Sequence, residues 1–218
     1  MVRKTKVGAL LGRPPLTSRE DRSPEMRQRL IEATVEAILE VGYARTSISE
    51  IVKRAGVTNG AFVYLYKNKF ELIKTTVKYL FSKVRERTEK YFSDPISTVE
   101  EVEEFLQRLA DVTLDNTGIA IFEIWMASRT DPELRKTFAL IETENSAIRS
   151  RGIKKLFGIG AAKSKDVIML TEGAILVLRG LSLQKVLADG LAENDLWLWW
   201  RRRLAEELIT CLQQITEE

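Results

Sequence analysis

The sequence predicts an all-α fold, on three observations. Apolar residues recur with helical period along nearly the whole chain. Glycines, prolines and capping side chains fall where one periodic stretch gives way to the next. Two short periodic segments are separated by a tight turn containing Gly56, the pattern of a helix-turn-helix. With 218 residues and 44% apolar content, the chain can bury a core as one large domain or two smaller ones. The expected division is a basic arm over 1–23, a three-helix module over 24–71 and a larger helical domain over 72–218.

The elements follow in order. Met26, Leu30, Ala33, Ala37, Ile38 and Val41 form one apolar face of a first helix, which Gly42 stops. Ser47 opens the second, since Ser47-x-x-Glu50 has the spacing of a capping box, and Ile48, Ile51, Val52 and Ala55 face inward. Gly56 supplies the left-handed residue that ends it, and Thr58 caps a third, very short helix. A long helix from about Phe70 to Phe92 precedes a break at Asp94-Pro95. Further helices are expected near 98–114, 118–129, 132–157, 165–189 and 194–216, with Asp131-Pro132 at one start. Gly158 and Gly160 read as a helix end rather than a phosphate loop, because no strand pattern precedes them, and Ser164 is placed to cap the next helix.

Several functions are disfavoured by composition. The chain has no histidine, which removes histidine-based nucleophile activation and histidine-ligated zinc. Glu100, Glu101, Glu103 and Glu104 are the most visible carboxylate cluster, and they read as a solvated face beside the apolar stripe Val99, Val102, Phe105, Leu106 and Leu109. A single cysteine, Cys211, forms no internal disulfide. No apolar run approaches the roughly 18 residues of a membrane span, and Val7–Leu11 is too short for a signal sequence. The expectation is a soluble, cytoplasmic protein that is not an enzyme and has no metal, cofactor or membrane partner.

Charge points to a polyanion. Residues 1–92 hold 19 Lys and Arg against 10 Asp and Glu, a balance of +9, whereas residues 93–218 hold 15 against 21, a balance of −6. The third helix suits double-stranded DNA. Thr58, Asn59, Gly60 and Ala61 put small or hydrogen-bonding groups at its N-terminal end, where a recognition helix meets base edges. Phe62 and Tyr66 anchor it, Tyr64 is left on the outer side, and Lys67 and Lys69 suit backbone phosphates. In the arm, Arg13 lies within Gly12-Arg13-Pro14-Pro15, an extended form that fits a narrow minor groove. The competing classes are a helical interaction module without an operator and a helical enzyme.

From Met26 to about Leu80 the sequence resembles the DNA-binding module of the TetR (tetracycline repressor) family. The residues that carry the resemblance are Gly42-Tyr43, Thr46-Ser47-Ile48-Ser49-Glu50-Ile51, Ala55-Gly56-Val57-Thr58, Gly60-Ala61-Phe62 and Tyr66-Lys67-Asn68-Lys69-Phe70-Glu71-Leu72. Phe62 stands where the family usually has leucine and Tyr66 where it has phenylalanine. The family commonly has tyrosine at the position of Val63 and histidine at that of Leu65, both near phosphates. Neither side chain here donates a hydrogen bond, so backbone contacts fall to Thr46, Ser47, Tyr64 and Lys69.

The resemblance implies a homodimeric repressor that binds a palindromic operator and is released by a small-molecule effector. IFEIWMASRTDPELRKTF resembles the middle of the family's regulatory domain, and Phe105, Phe122, Trp125, Met126 and Phe138 are the candidate pocket residues. The helix near 165–189 is apolar on nearly all faces, so one side is expected to meet a second subunit. Family members pair their last two helices into a four-helix bundle. Ile175, Leu178, Leu181, Trp197, Trp200, Leu204 and Leu208 are therefore the expected interface.

Overall fold

The structure, a computed structural model, describes residues 22–91, 95–187 and 195–217. Nine helices make up the described residues: α1 (Arg22–Val41), α2 (Ile48–Ala55), α3 (Asn59–Leu65), α4 (Lys69–Glu89), α5 (Val99–Thr113), α6 (Asn116–Ala127), α7 (Pro132–Ala161), α8 (Lys165–Leu187) and α9 (Asp195–Glu217). The arm, Arg13 included, lies outside the described residues.

Local chemistry sets the N-terminal boundaries. Gly42 at φ 77° and Gly56 at φ 64° take the left-handed conformation that L side chains avoid. At Gly56 the amide reaches the Val52 and Lys53 carbonyls, closing α2. Ser47 accepts from the Glu50 amide at 3.2 Å, so half of the expected capping box forms. The other half does not, because the Glu50 carboxylate turns to Arg54 at 2.6 Å. A complete capping box appears instead at the start of α5, between Thr98 and Glu101.

Three apolar clusters divide the molecule. Leu30, Ile51, Phe62, Leu65, Tyr66 and Leu72 join α1, α2 and α3 to the start of α4. Ile38, Ile73, Val77, Leu80, Ile124 and Phe138 carry the packing through α1, α4, α6 and α7. Val102, Ala110, Val167, Leu178, Trp197 and Leu208 form the core of α5, α8 and α9, with α7 contributing Ile153 and Ala161. Helices α1 and α4 are shared by the first two clusters.

Three expectations are corrected. Helix α6 starts at Asn116 rather than 118, because Asp115 caps it by accepting from the Gly118 amide at 3.0 Å. Helix α7 runs past 157: Gly158, at φ 92° and ψ 174°, kinks it, and one more turn follows before Ser164 caps α8 through the Val167 amide. The acidic run of α5 is not only a solvated face. Glu103 and Glu100 accept from Arg202 at 3.0 and 3.2 Å, and Arg201 bridges to Gln107, which also accepts from the Trp197 indole at 2.8 Å. These bonds seat α9 on α5 and hold the Arg202 guanidinium well above its ordinary pKa, first through Glu103.

The α5–α6 junction is tightest at Gly118, where an added Cβ would lie 1.8 Å from the Thr113 carbonyl oxygen. Gly118→Ala is expected to lower stability by about 1–3 kcal/mol through backbone displacement, read by urea unfolding. An unchanged midpoint would show that the junction relaxes freely.

Candidate nucleic-acid interface and internal cavity

Helix α3 is a two-faced element seven residues long. Thr58 accepts from the Ala61 amide at 3.1 Å and so fixes its N-terminus. Phe62 and Leu65 are buried on one side, followed by Tyr66, whose ring lies 6.1 Å from that of Phe62 and under the Arg27 guanidinium. Asn59, Gly60, Val63 and Tyr64 are exposed on the other side, Val63 by 68% and Tyr64 by 79%. Ala61 is half-buried between the two faces.

The flanking residues sort differently from expectation. Ser47 is exposed and its hydroxyl caps α2. Thr46 is buried, and its hydroxyl donates to the Gly42 carbonyl at 2.8 Å. It therefore stitches the α1–α2 turn and presents nothing to a ligand. Lys67 is exposed. Lys69 is half-buried: its ammonium donates to the Tyr43 carbonyl at 3.1 Å and sits 4.5 Å from the centre of the Tyr43 ring. Burial pushes its pKa below the usual lysine value. Leu65 points into the core, so the absence of a donor there leaves no gap on the outward face. Val63 does lie outward, and sequence reasoning undervalued it by asking only for hydrogen bonds.

A cavity of about 280 Å³ lies within the C-terminal helices, its wall built from α4 to α9. Phe105, Phe122, Trp125 and Phe138 line it. Met126 does not line it and is 45% exposed. The polar wall includes Arg85, Glu142, Arg149 and Arg179. Arg179 binds Glu142 and lies 5.4 Å from the Trp125 ring centre, while Arg149 holds Glu172 at 2.8 Å.

This cavity absorbs most residues expected at a subunit interface. Ile175, Leu178, Leu204 and Leu208 line it, and Leu181 and Trp197 are buried in the cluster around it. They face their own subunit because α5, α7 and α9 close over that side of α8. Trp200 remains outside, 39% exposed. The outer side of α8 is carried by Met169, Leu176 and Leu183, at least half exposed, with Gly173 and Gly180 between them where an added Cβ would meet nothing. Among the described residues, no group of three or more His, Cys, Asp or Glu could hold a metal, and no helix is long and apolar enough to cross a membrane.

Comparison with known proteins identifies the N-terminal module. Residues 30–76, which contain the α2–α3 turn and the outward face of α3, match the family described as "Bacterial regulatory proteins, tetR family". The N-terminal module is that of the TetR family. An HTH-type transcriptional regulator of Mycobacterium tuberculosis is 29% identical over 130 residues, 60% of this chain and 67% of its own. The regulator BetI of Yersinia pestis is 34% identical over 106 residues, 48% of this chain and 52% of its own, so that match spans about half of BetI. A TetR-family regulator from Rhodococcus shares the fold at TM-score 0.67 and 17% identity, over 87% of this chain and 99% of its own. FadR of Bacillus subtilis, solved with stearoyl-CoA, does so at TM-score 0.60 and 20% identity, over 85% and 96%. These relatives are transcriptional regulators, and residues 30–76 give this chain the helix-turn-helix module of that family.

The different placements of Thr46 and Lys67 have separable consequences. Thr46→Val is expected to cost about 1 kcal/mol of stability, by removing a hydrogen bond, while the salt dependence of DNA binding stays the same. Lys67→Ala is expected to leave stability unchanged and to lower the salt slope by about one. Urea unfolding and DNA titrations at several salt concentrations check both.

Proposed function

We propose that this TetR-family protein is a homodimeric repressor that binds a palindromic operator and leaves it when a small molecule enters the cavity. The observation that carries the reading is the outward face of α3. Asn59 stands exposed at the end of the helix that enters a major groove, and its amide suits the paired donor and acceptor of adenine. Val63 and Tyr64 extend that face with apolar surface suited to thymine methyl groups. Lys67 and Ser47 flank it for phosphates, and Arg13 is assigned to the adjacent minor groove. The boundaries 24–71 for the DNA-binding domain and 72–218 for the effector and dimer domain accompany this reading.

A second subunit is supported by the outer stripe of α8. Met169, Gly173, Leu176, Gly180 and Leu183 follow one another at steps of four and three residues, the spacing of a helix seam, and the open glycines allow close helix approach. Trp199 and Trp200 add exposed aromatic surface on α9. A two-fold dimer sets two copies of α3 about 34 Å apart, one turn of B-DNA.

Helix α4 supplies the coupling. Its first half packs against α1 through Ile73, Val77 and Leu80, while Phe81, Val84, Arg85 and Thr88 in its second half line the cavity. A ligand that favours one position of α4 over another changes the separation of the two α3 helices, provided its affinity differs between the two states. That the same fold in FadR holds stearoyl-CoA supports a ligand role for the cavity.

Two variants test this reading. Asn59→Ala is expected to weaken binding to a DNA sequence selected by the protein by about 1–3 kcal/mol, with little change on unrelated DNA. Equal losses on both would remove Asn59 from base reading. Leu176→Glu, on the outer side of α8, is expected to give a folded monomer with most operator affinity lost, whereas Leu178→Glu, in the core, is expected to unfold the subunit. Sedimentation and circular dichroism separate the two; a Leu176→Glu protein that remains dimeric would place the interface elsewhere.

A further inference from the structure

We infer that the cavity takes an amphipathic anion, an apolar body ending in a carboxylate or similar group, and that Arg85 receives the charge. The inference rests on the cavity being the effector site. It begins from the charged groups in the wall, three guanidiniums, Arg85, Arg149 and Arg179, against one carboxylate, Glu142.

Two of the three arginines are already matched. Arg179 binds Glu142. Arg149 binds Glu172 through Nε at 2.8 Å and a terminal nitrogen at 3.3 Å, with Glu142 a further 3.8 Å contact. Arg85 has no such partner among the described residues. Its Nε is buried and meets no acceptor there. A guanidinium stays protonated at any physiological pH, so an unmatched one cannot be relieved by losing its proton. It can be relieved by an anion.

The rest of the wall describes the other end of the ligand. Phe81, Phe105, Phe122, Phe138 and Phe157 are among its many apolar side chains, so the body that fills the space is apolar. A cationic amphiphile would bring a further positive charge to a wall already carrying three guanidiniums. A neutral one would leave Arg85 as it is. The location of Arg85 gives its neutralisation a mechanical route, since it sits on α4, the helix that also packs against the DNA-binding module.

The test uses the full chain and three ligands of equal length: decanoate, 1-decanol and decylammonium. Binding is followed by calorimetry and by tryptophan fluorescence, to which Trp125 in the wall contributes. Decanoate is expected to bind about tenfold tighter than decanol, and decylammonium most weakly. Arg85→Gln should bring decanoate to about the affinity of decanol without weakening decanol, and the empty variant should melt at or above the wild-type temperature, because no protein partner is lost. Arg85→Lys, which keeps the charge, should retain a preference for decanoate and covers the case in which the glutamine variant fails to fold. Decanol or decylammonium binding as tightly as decanoate overturns the inference. So does a preference for decanoate that survives Arg85→Gln, or a failure of all three ligands to bind. The effector reading is tested separately by the same ligands on the protein–operator complex. Decanoate that binds through Arg85 but leaves operator affinity unchanged keeps the anion site and removes its regulatory role. Decanol or decylammonium that binds as tightly and releases DNA does the reverse.

Discussion

The structure depends on one continuous helix being buried at both ends by different partners. Helix α4 carries Leu72 into the core beneath α3, Ile73, Thr76, Val77 and Leu80 into the packing with α1, α6 and α7, and Phe81, Val84 and Arg85 into the cavity wall. An α-helix transmits displacement because its backbone hydrogen bonds resist bending, so the two ends cannot move independently. Further polar contacts tie it to its neighbours: Gln28 on α1 donates to the Tyr79 hydroxyl at 3.0 Å, and Arg87 pairs with Asp115, the cap of α6. The same carboxylate that starts α6 thus also fixes the far end of α4. A ligand against Phe81 or Arg85 has a short physical path to α3, through side chains already in contact.

The cavity is a second organising feature, and it explains a tension in the C-terminal domain. Close packing is the rule in protein interiors, and an apolar void costs the contacts its walls forgo. Here the surrounding helices hold a void open by polar contacts between one helix and the next. Trp197, Arg201 and Arg202 lock α9 onto α5 through Gln107, Glu100 and Glu103, and Arg149 and Arg179 lock α7 onto α8 through Glu142 and Glu172. The paired arginines also bring polar groups to a wall that is otherwise apolar. A ligand with an apolar body recovers the forgone contacts.

The N-terminal module was legible because its information is local. Glycines that need a left-handed backbone, threonine and serine that cap, and an i, i+4 aromatic pair all act within a few residues of themselves. The same reading erred where a residue's role depends on what comes back from far along the chain. Thr46 looked like a phosphate contact and is buried against Gly42; Lys69 looked free and is held by Tyr43, 26 residues earlier. Glu50 had the spacing of a capping box, yet its carboxylate prefers Arg54, one turn further on, which also binds Glu40 of α1.

By itself, the sequence determined the helices, the ends of the N-terminal ones, the exposed and buried faces of α3 and the basic character of the first part of the chain. Those are properties of spacing, backbone preference and charge, and none needs a partner segment. Which side of α8 faces inward was decided only by tertiary structure. A helix that is apolar all round has no periodic signal to orient it, so Leu178 and Leu176 are alike on paper and opposite in the fold. The cavity, its three arginines and the unmatched Nε of Arg85 were hidden for the same reason. They arise where α4, α7 and α8 converge, and the sequence separates those residues by dozens of positions that carry no record of the meeting.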